Sequence, residues 1–413
     1  MEKKHHKSRC AVIVGAQGVG KTTLLSEMIR RAGAQPPAFD CSAEAKEFGT
    51  TTEPNFARFD YLGEKWSAID CPGSVELFET SLELVAAADI AVVVAGPDPD
   101  RAGAVAQHLK FLDDHSIPHV IFINRTDEAQ SRIRDLLEAL QAHSTRPLVL
   151  RQAPLWENGR IVGAVDLVSE RAWKYREGAP SDLVEIPESD LAREREAREA
   201  LLDTLADFDD ALMEQILEDR TPPSEDVFAL MAKELVEDLI VPVVLGSAAH
   251  GNGVTRLLKL LRHEAPDVEM AASRAHLNGG ADVASVIRTI HAPHAGKISV
   301  VRIWKGALKD GAAVNGGRVS GLLALNGESR TKIDMAEAGD VAGIPRIEAL
   351  EVGDRIIDGA IRKGARPQTG SALFALAIRA KNERDDVRLS AALAKLIDED
   401  VSLTTERRAD TGE

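Results

Sequence analysis

Cysteine is scarce: only Cys10, Cys41 and Cys71 occur in 413 residues, and their spacing suits neither a disulfide framework nor a zinc site. A reducing cytoplasm is the expected setting. Long apolar runs are missing too. None reaches the roughly 18 to 20 residues needed to cross a bilayer, so neither membrane insertion nor secretion is predicted. Positive charge is in deficit, with 50 Lys and Arg against 66 Asp and Glu and a formal net charge of -16. That balance argues against a generally basic DNA or RNA binder, and confines any RNA contact to a local surface. The basic start, Lys3, Lys4, His5, His6, Lys7 and Arg9, reads as a solvated tail, with the paired histidines not taken as metal ligands.

What the sequence does hold is ample for more than one core. Hydrophobic residues make up 44% of the chain, and its length predicts two or three domains. From Cys10 to about Val268, short apolar runs alternate with helix-like segments, the pattern of a mostly parallel sheet wrapped by helices. The predicted strands are Ala11–Val14, Trp66–Ile69, Ile90–Val94, His119–Ile123 and Val241–Leu245. A long stretch before the last of them, about residues 150–239, exceeds what a minimal nucleotide-binding domain needs and reads as an inserted subdomain. Within it, Arg193–Glu218 places Leu201, Leu205, Phe208, Leu212 and Ile216 at helical spacing, a stripe expected to pack on the parent domain.

After Pro266-Asp267 the texture changes to short strands and glycine-rich turns, at Ala284–Thr289, Lys297–Trp304, Gly316–Gly321 and Asp340–Ile344. A small β-barrel is predicted over 269–365. Arg366–Gly370 reads as a linker, and Leu373 to about Arg407 as strand, helix, strand, with Leu389, Leu393 and Leu396 on the helix's apolar face. Two strands and a helix make a poor core, so 371–413 is expected to be part of a larger domain and the chain a piece of a longer protein.

The chemistry is carried first by Gly15-Ala16-Gln17-Gly18-Val19-Gly20-Lys21-Thr22, which follows a predicted strand and opens a helix near Thr23. That is the setting of a P-loop. Its glycines let successive N–H groups face a phosphate, and the helix N-terminus adds the positive end of its dipole. Lys21 should reach the β and γ phosphates and Thr22 should ligate Mg²⁺. Asp70-Cys71-Pro72-Gly73 ends the next long strand, with Asp70 expected on the magnesium side and the Gly73 N–H near the γ phosphate.

Asn124-Arg125-Thr126-Asp127 ends the strand His119–Ile123. A carboxylate there accepts from guanine N1–H and its amino group, whereas adenine would meet it with a bare acceptor. Arg125 stands where lysine is usual, and its aliphatic stem can still lie along a base. Gly246-Ser247-Ala248 follows the last strand and is expected to offer a backbone N–H to the guanine carbonyl. Taken in order on successive strand ends, these elements predict a GTP-binding domain.

At this point the sequence resembles the translational GTPases, and within them elongation factor G and its G-like paralogues. Glu47-Phe48-Gly49-Thr50-Thr51-Thr52 resembles that family's switch I, which puts Thr51 in the role of sensing γ phosphate and Mg²⁺. Gly163–Val168 followed by Trp173, and Glu185-Ile186-Pro187, resemble the extra subdomain of elongation factor G. Pro293–Lys297, Gly306–Gly311 and Ala338-Gly339-Asp340 resemble its domain II, and Asp385–Leu393 the first helix of domain III. The resemblance implies an α/β P-loop domain over 1–268, a doubly wound sheet with an inserted α+β subdomain, then a β-barrel domain and a partial α+β domain. It also implies GTP or GDP with Mg²⁺ as ligands, the ribosome as partner, and a monomer.

Three departures bear on mechanism. Ser74 stands directly after Asp70–Gly73, where the family places the histidine that positions the attacking water. Gly18 replaces a usual Asp, and Phe48 a usual Arg. Binding residues are therefore expected at Gly15–Thr23, Asn124, Arg125, Asp127, Ser247 and Ala248, metal ligands at Thr22, Thr51 and Asp70, and catalytic roles at Lys21, Thr51, Gly73 and Ser74. Phosphoryl transfer depends on positioning, so slow intrinsic GTP hydrolysis is expected. The alternative is a non-catalytic or barely catalytic GTP-dependent module that docks on ribosomes or another partner; whatever the catalytic consequence, Ser74 is expected to cap a helix through Val75–Leu84. A P-loop kinase or ATPase would need an adenine pocket that the sequence does not show.

Overall fold

β-branched residues crowd the segments that become the centre of the first sheet, where both faces of each strand are covered. A computed structural model describes residues 8–176, 179–277, 279–292, 296–315, 317–364 and 374–406. The chain divides into two units, Met1–Ser74 with Ala88–Asp267, and Val75–Ala87 with Val268–Glu413. The first unit is built on strands β1 (Ser8–Gly15), β2 (Asn55–Tyr61), β3 (Glu64–Asp70), β4 (Ile90–Ala95), β5 (His119–Ile123), β6 (Leu148–Leu150) and β11 (Val241–Leu245), in spatial order β2-β3-β1-β4-β5-β11-β6. All neighbours run parallel except β2 with β3. Every residue of β1, β4, β5 and β11 is buried.

Because β1, β3, β5 and β11 are parallel, the loops that follow them emerge at one edge of the sheet. Helices α1 (Lys21–Arg31), α2 (Ala43–Phe48), α4 (Ala106–Asp114), α5 (Ile133–Gln141) and α9 (Val254–Glu264) complete this part of the unit. Leu24 and Met28 of α1 share one buried cluster with Leu257 and Leu261 of α9. Each such side chain contributes roughly 1.5 to 3 kcal/mol by leaving water.

The insertion is an antiparallel sheet of β7 (Gln152–Glu157), β8 (Arg160–Asp166), β9 (Arg171–Arg176) and β10 (Ala179–Val184), followed by α6 (Glu188–Ala206), α7 (Asp210–Leu217) and α8 (Ser224–Val236). The single helix predicted over Arg193–Glu218 is two. Asp209 caps α7 by accepting the Leu212 N–H at 3.0 Å, and a side-chain cap of this kind starts a new helix. Leu201, Leu205 and Leu212 lie in the core with Val149 and Leu155, while Phe208, at the break, is 37% exposed. Buried charges tie the insertion to α9: Arg151, fully buried, meets Glu264 at 2.9 Å, and Arg256 pairs with Asp166. Both guanidinium groups sit over Phe228.

The second unit includes the residues just after Ser74. The continuous helix predicted through Val75–Leu84 is replaced by two 3-10 turns, Val75–Leu77 and Glu79–Ser81, and a short α3 (Leu82–Ala86). Its main sheet is antiparallel, in the order β18 (Ser329–Lys332), β17 (Leu323–Asn326), β20 (Val341–Pro345), β13 (Gly296–Lys305), β12 (Val283–Ala292), β21 (Arg355–Ile357) and β22 (Ala360–Arg362). Two ribbons, β14 (Ala307–Lys309) with β19 (Met335–Glu337) and β15 (Ala313–Val314) with β16 (Gly317–Arg318), complete an antiparallel β-rich fold. Helix α10 (Val268–Arg274) precedes it.

Helix α11 (Asp386–Glu399) forms where one was predicted, and Asp398 meets Lys297 at 3.1 Å and His291 at 3.2 Å. Its predicted apolar face is only partly covered, and Leu396 is 49% exposed. The described residues flanking α11, 374–382 and 400–406, form no strands, in contrast to the predicted strand, helix, strand. Lys3–Lys7, Pro293–Ala295, Gly316, the Arg366–Gly370 linker, Leu373 and Arg407 lie outside the described residues.

Candidate nucleotide-binding site

Positive backbone angles at Gly15, Gly18 and Gly20, of 142°, 76° and 92°, curl the loop between β1 and α1. At Gly20 a side chain is doubly excluded, since a Cβ there would lie 2.6 Å from Asn124 Nδ2. Lys21, the first residue of α1, is buried, and its ammonium donates to the Ala16 carbonyl at 2.9 Å. Burial lowers its pKa, against the opposing charges of Asp70, Cys71 and Asp40. Gly73 is packed close beneath it: a Cβ on Gly73 would come 2.1 Å from Lys21 Nζ and 2.8 Å from the Ala16 carbonyl. Thr23 continues the first turn of α1.

The three predicted metal ligands come together at the foot of this loop. Thr22 Oγ1 donates to Asp70 Oδ2 at 2.6 Å and lies 3.2 Å from Thr51 Oγ1. Thr51 is 7% exposed, whereas Phe48 of the same segment is 68% exposed. Burial pushes the Asp70 carboxyl up to about 6, opposed by its bond from Thr22, the charge of Lys21 and its bond from Asn55. Among the described residues, Asp70 Oδ1 is buried with no hydrogen-bond partner.

Asn55 was not anticipated. It stands opposite Asp70 in the antiparallel β2–β3 pairing and donates to Asp70 Oδ2 at 3.1 Å and to Asp40 at 2.8 Å. The alternation of Ala57, Phe59 and Tyr61 with Arg58 and Asp60 is a usable sign of this strand. His108 on α4 was also missed. Burial, and then the charge of Lys21, push its pKa down to about 4.

On the base side, Asn124 joins three loops: it donates to the Val19 carbonyl at 2.8 Å and accepts the Ala248 N–H at 2.8 Å. Arg125, at a positive φ of 57°, donates to the Gly18 carbonyl at 2.7 Å. Thr126 bonds the Gly246 carbonyl through both its N–H and its hydroxyl, at 3.1 Å. Asp127 remains partly exposed, and His250 Nε2 approaches its Oδ2 at 3.5 Å. The amides of Ser247 and Ala248, expected to face a base carbonyl, have protein partners here, the Asn252 carbonyl and Asn124.

A parallel sheet whose strand ends carry a glycine-curled loop, a buried carboxylate and a second carboxylate behind Asn124 defines the P-loop nucleoside-triphosphate-binding class. Residues 6–267 match the family described as the elongation factor Tu GTP binding domain, 283–359 elongation factor G domain 2, and 370–413 elongation factor G domain III. An elongation factor G-like protein of Synechocystis sp. is 36% identical over 417 residues, covering 98% of this chain and 62% of that protein. Elongation factor G of Fervidobacterium nodosum is 26% identical, over 99% of this chain and 63% of that protein. A crystal structure from Thermus thermophilus superposes with a TM-score of 0.83 at 26% identity, covering 99% of this chain and 63% of its own.

The chain belongs to the translational GTPase family, in the branch of elongation factor G and the elongation factor G-like proteins. Members of that family generally hydrolyse GTP. This chain spans about 62% of the length of its Synechocystis relative. Among the described residues, no helix is long and apolar enough to cross a membrane.

Proposed function

We propose that this chain binds GTP and GDP with Mg²⁺ and cleaves GTP slowly, as part of a cytoplasmic, monomeric factor that works on the ribosome. The convergence of Thr22, Thr51 and Asp70 carries the reading. Two hydroxyls and a buried carboxylate with an oxygen left unpartnered among the described residues suit a hard cation better than a neutral core. Thr22, Thr51 and Asp70 would hold Mg²⁺, and the ion when bound would offset charge on the β and γ phosphates.

The remaining work falls to the chain itself. The Gly15–Thr22 amides bind phosphate oxygens, and Lys21 moves from the Ala16 carbonyl to the β and γ phosphates. Gly73, close against Lys21, offers its N–H on the γ side. Asp127 accepts from the guanine edge. Ser74 is too short to orient water as a histidine would, which limits the intrinsic rate. The same residue favours a second reading, a barely catalytic GTP-dependent module that docks on ribosomes.

Competition among GTP, GDP and ATP for this chain, with ribosome-stimulated phosphate release from a full-length version, tests the proposal. Guanine nucleotides should bind in preference to ATP, and ribosomes should accelerate release. Equal binding of ATP would overturn the guanine assignment, and no response to ribosomes would favour the second reading.

A further inference from the structure

Helices α5 and α6 and strands β6 and β7 line a solvent-open cavity of about 770 Å³ in the first unit. None of the residues placed in the nucleotide site lines it. Its apolar walls are formed by Leu137, Leu148, Ala153, Trp156, Ala197 and Leu201, with Arg132, Arg134 and Arg193 also in the lining. Into this lining α6 brings Asp190 and Glu194, one helical turn apart and therefore on one face. They are only 4% and 6% exposed. Among the described residues, Asp190 Oδ2 and Glu194 Oε1 have no hydrogen-bond partner. Arg193 reaches the other Asp190 oxygen at 3.2 Å, but its own side chain is 59% exposed and points its charge largely to water.

Arg193 and Arg134 are engaged with Asp190 and Glu196, and a buried oxygen left without a hydrogen bond on each of Asp190 and Glu194 is a cost that a further cationic donor would offset. A metal ion is a poor answer. Hard divalent cations want about six or more oxygens, more than Asp190 and Glu194 supply. A solvated inorganic cation would also leave the apolar walls without a partner. An ammonium group carried on an apolar body satisfies both features at once, with Trp156 available as an aromatic wall.

We propose that this cavity binds an organic ammonium ion, its charged head between Asp190 and Glu194 and its apolar body against the walls from α5, β6 and β7. Burial, and then the charge of Glu170, already raise the Glu194 carboxyl above its usual range despite Arg198 and Arg195. Loss of water around the charged form has this effect on a buried carboxylate. Arg134 of α5 and Glu196 of α6, both in the lining, form an exposed ion pair at 2.7 Å.

The test is calorimetric titration of the 413-residue chain with 4-phenylbutylammonium and its uncharged counterpart 4-phenylbutan-1-ol. The ammonium should bind with a Kd below about 1 mM, a fair limit for a ligand of this size, and the alcohol roughly tenfold or more weakly. Glu194→Gln should erase that difference while leaving the alcohol's affinity unchanged. Ala197→Trp, which fills the cavity and keeps both carboxylates, should abolish binding of both, with circular dichroism showing each variant folded. Should Glu194→Gln fail to fold, Asp190→Asn takes its place. Equal binding of the two ligands, binding of neither, or undiminished ammonium binding to a folded Glu194→Gln variant would overturn the proposal.

Discussion

Thr22 Oγ1 donates a hydrogen bond of 2.6 Å to Asp70 Oδ2, joining the first turn of α1 to the end of β3. The two residues are 48 positions apart, and the bond is possible because β1 and β3 are neighbours in a parallel sheet. The hydroxyl is thereby held between Asp70 and Thr51.

Replacing Thr22 with Ala removes this donor and the oxygen beside Thr51. Affinity for GDP should fall roughly tenfold or more in the presence of Mg²⁺ and change much less in EDTA, since one metal ligand is worth at least about 1.4 kcal/mol. Fluorescent-GDP titration with and without EDTA measures both. An equal loss in the two conditions would mean that Thr22 acts on the fold and not on the metal.

Asp127→Asn exchanges an acceptor for a side chain that also donates. GDP affinity should drop by roughly a hundredfold, and the xanthine nucleotide, whose edge carries a carbonyl in place of the amino group, should bind better to the variant than to the parent. Competitive titration of the two diphosphates checks the exchange. A variant that loses both equally would show that Asp127 does not read the base.

Ser74→His restores a ring able to orient water beside Gly73. Single-turnover GTP cleavage should rise by about 10²-fold, at the low end for a positioned acid or base, with GDP affinity little changed. Rapid-quench measurements with and without ribosomes decide this. An unchanged rate in both would place the limiting defect elsewhere.

Glu234 on α8 is 1% exposed, and among the described residues neither of its carboxylate oxygens has a partner. Burial, and then the charge of Asp209, push its pKa up to about 8. The folded state thus holds the proton more tightly than the unfolded chain. Its contribution is most favourable below the ordinary glutamate value of 4.5 and is lost as pH rises from there through about 8. Glu234→Gln should gain on the parent by roughly 1 kcal/mol or more between pH 5 and pH 9 in urea unfolding. Parallel pH profiles for the two proteins would refute this.

Local chemistry was legible where a short segment is self-sufficient. The Gly15–Thr22 loop needs only its glycines and the strand and helix that flank it, and β1, β4, β5 and β11 announce themselves by unbroken apolar runs. The part played by Asn55 was not legible, because it exists only through the register of β2 with Asp70. The break between α6 and α7 lay inside one apolar periodicity and was decided by the Asp209 cap. After Ser74, two 3-10 turns replace the expected helix, and the residues from Val75 fall in the second unit.

By itself the sequence determined the order of strands and motif loops, the phosphate-binding turn and the kind of base a carboxylate at Asp127 would favour, because each depends on residues adjacent in the chain. Tertiary structure decided what those groups meet. It set Thr51 and Asp70 around Thr22, His250 beside Asp127, and Asp190 and Glu194 of α6 in the lining of one cavity. The physical reason is that desolvation and pairing are set by neighbours in space, and residues tens to over a hundred positions apart become neighbours only when sheets and helices pack.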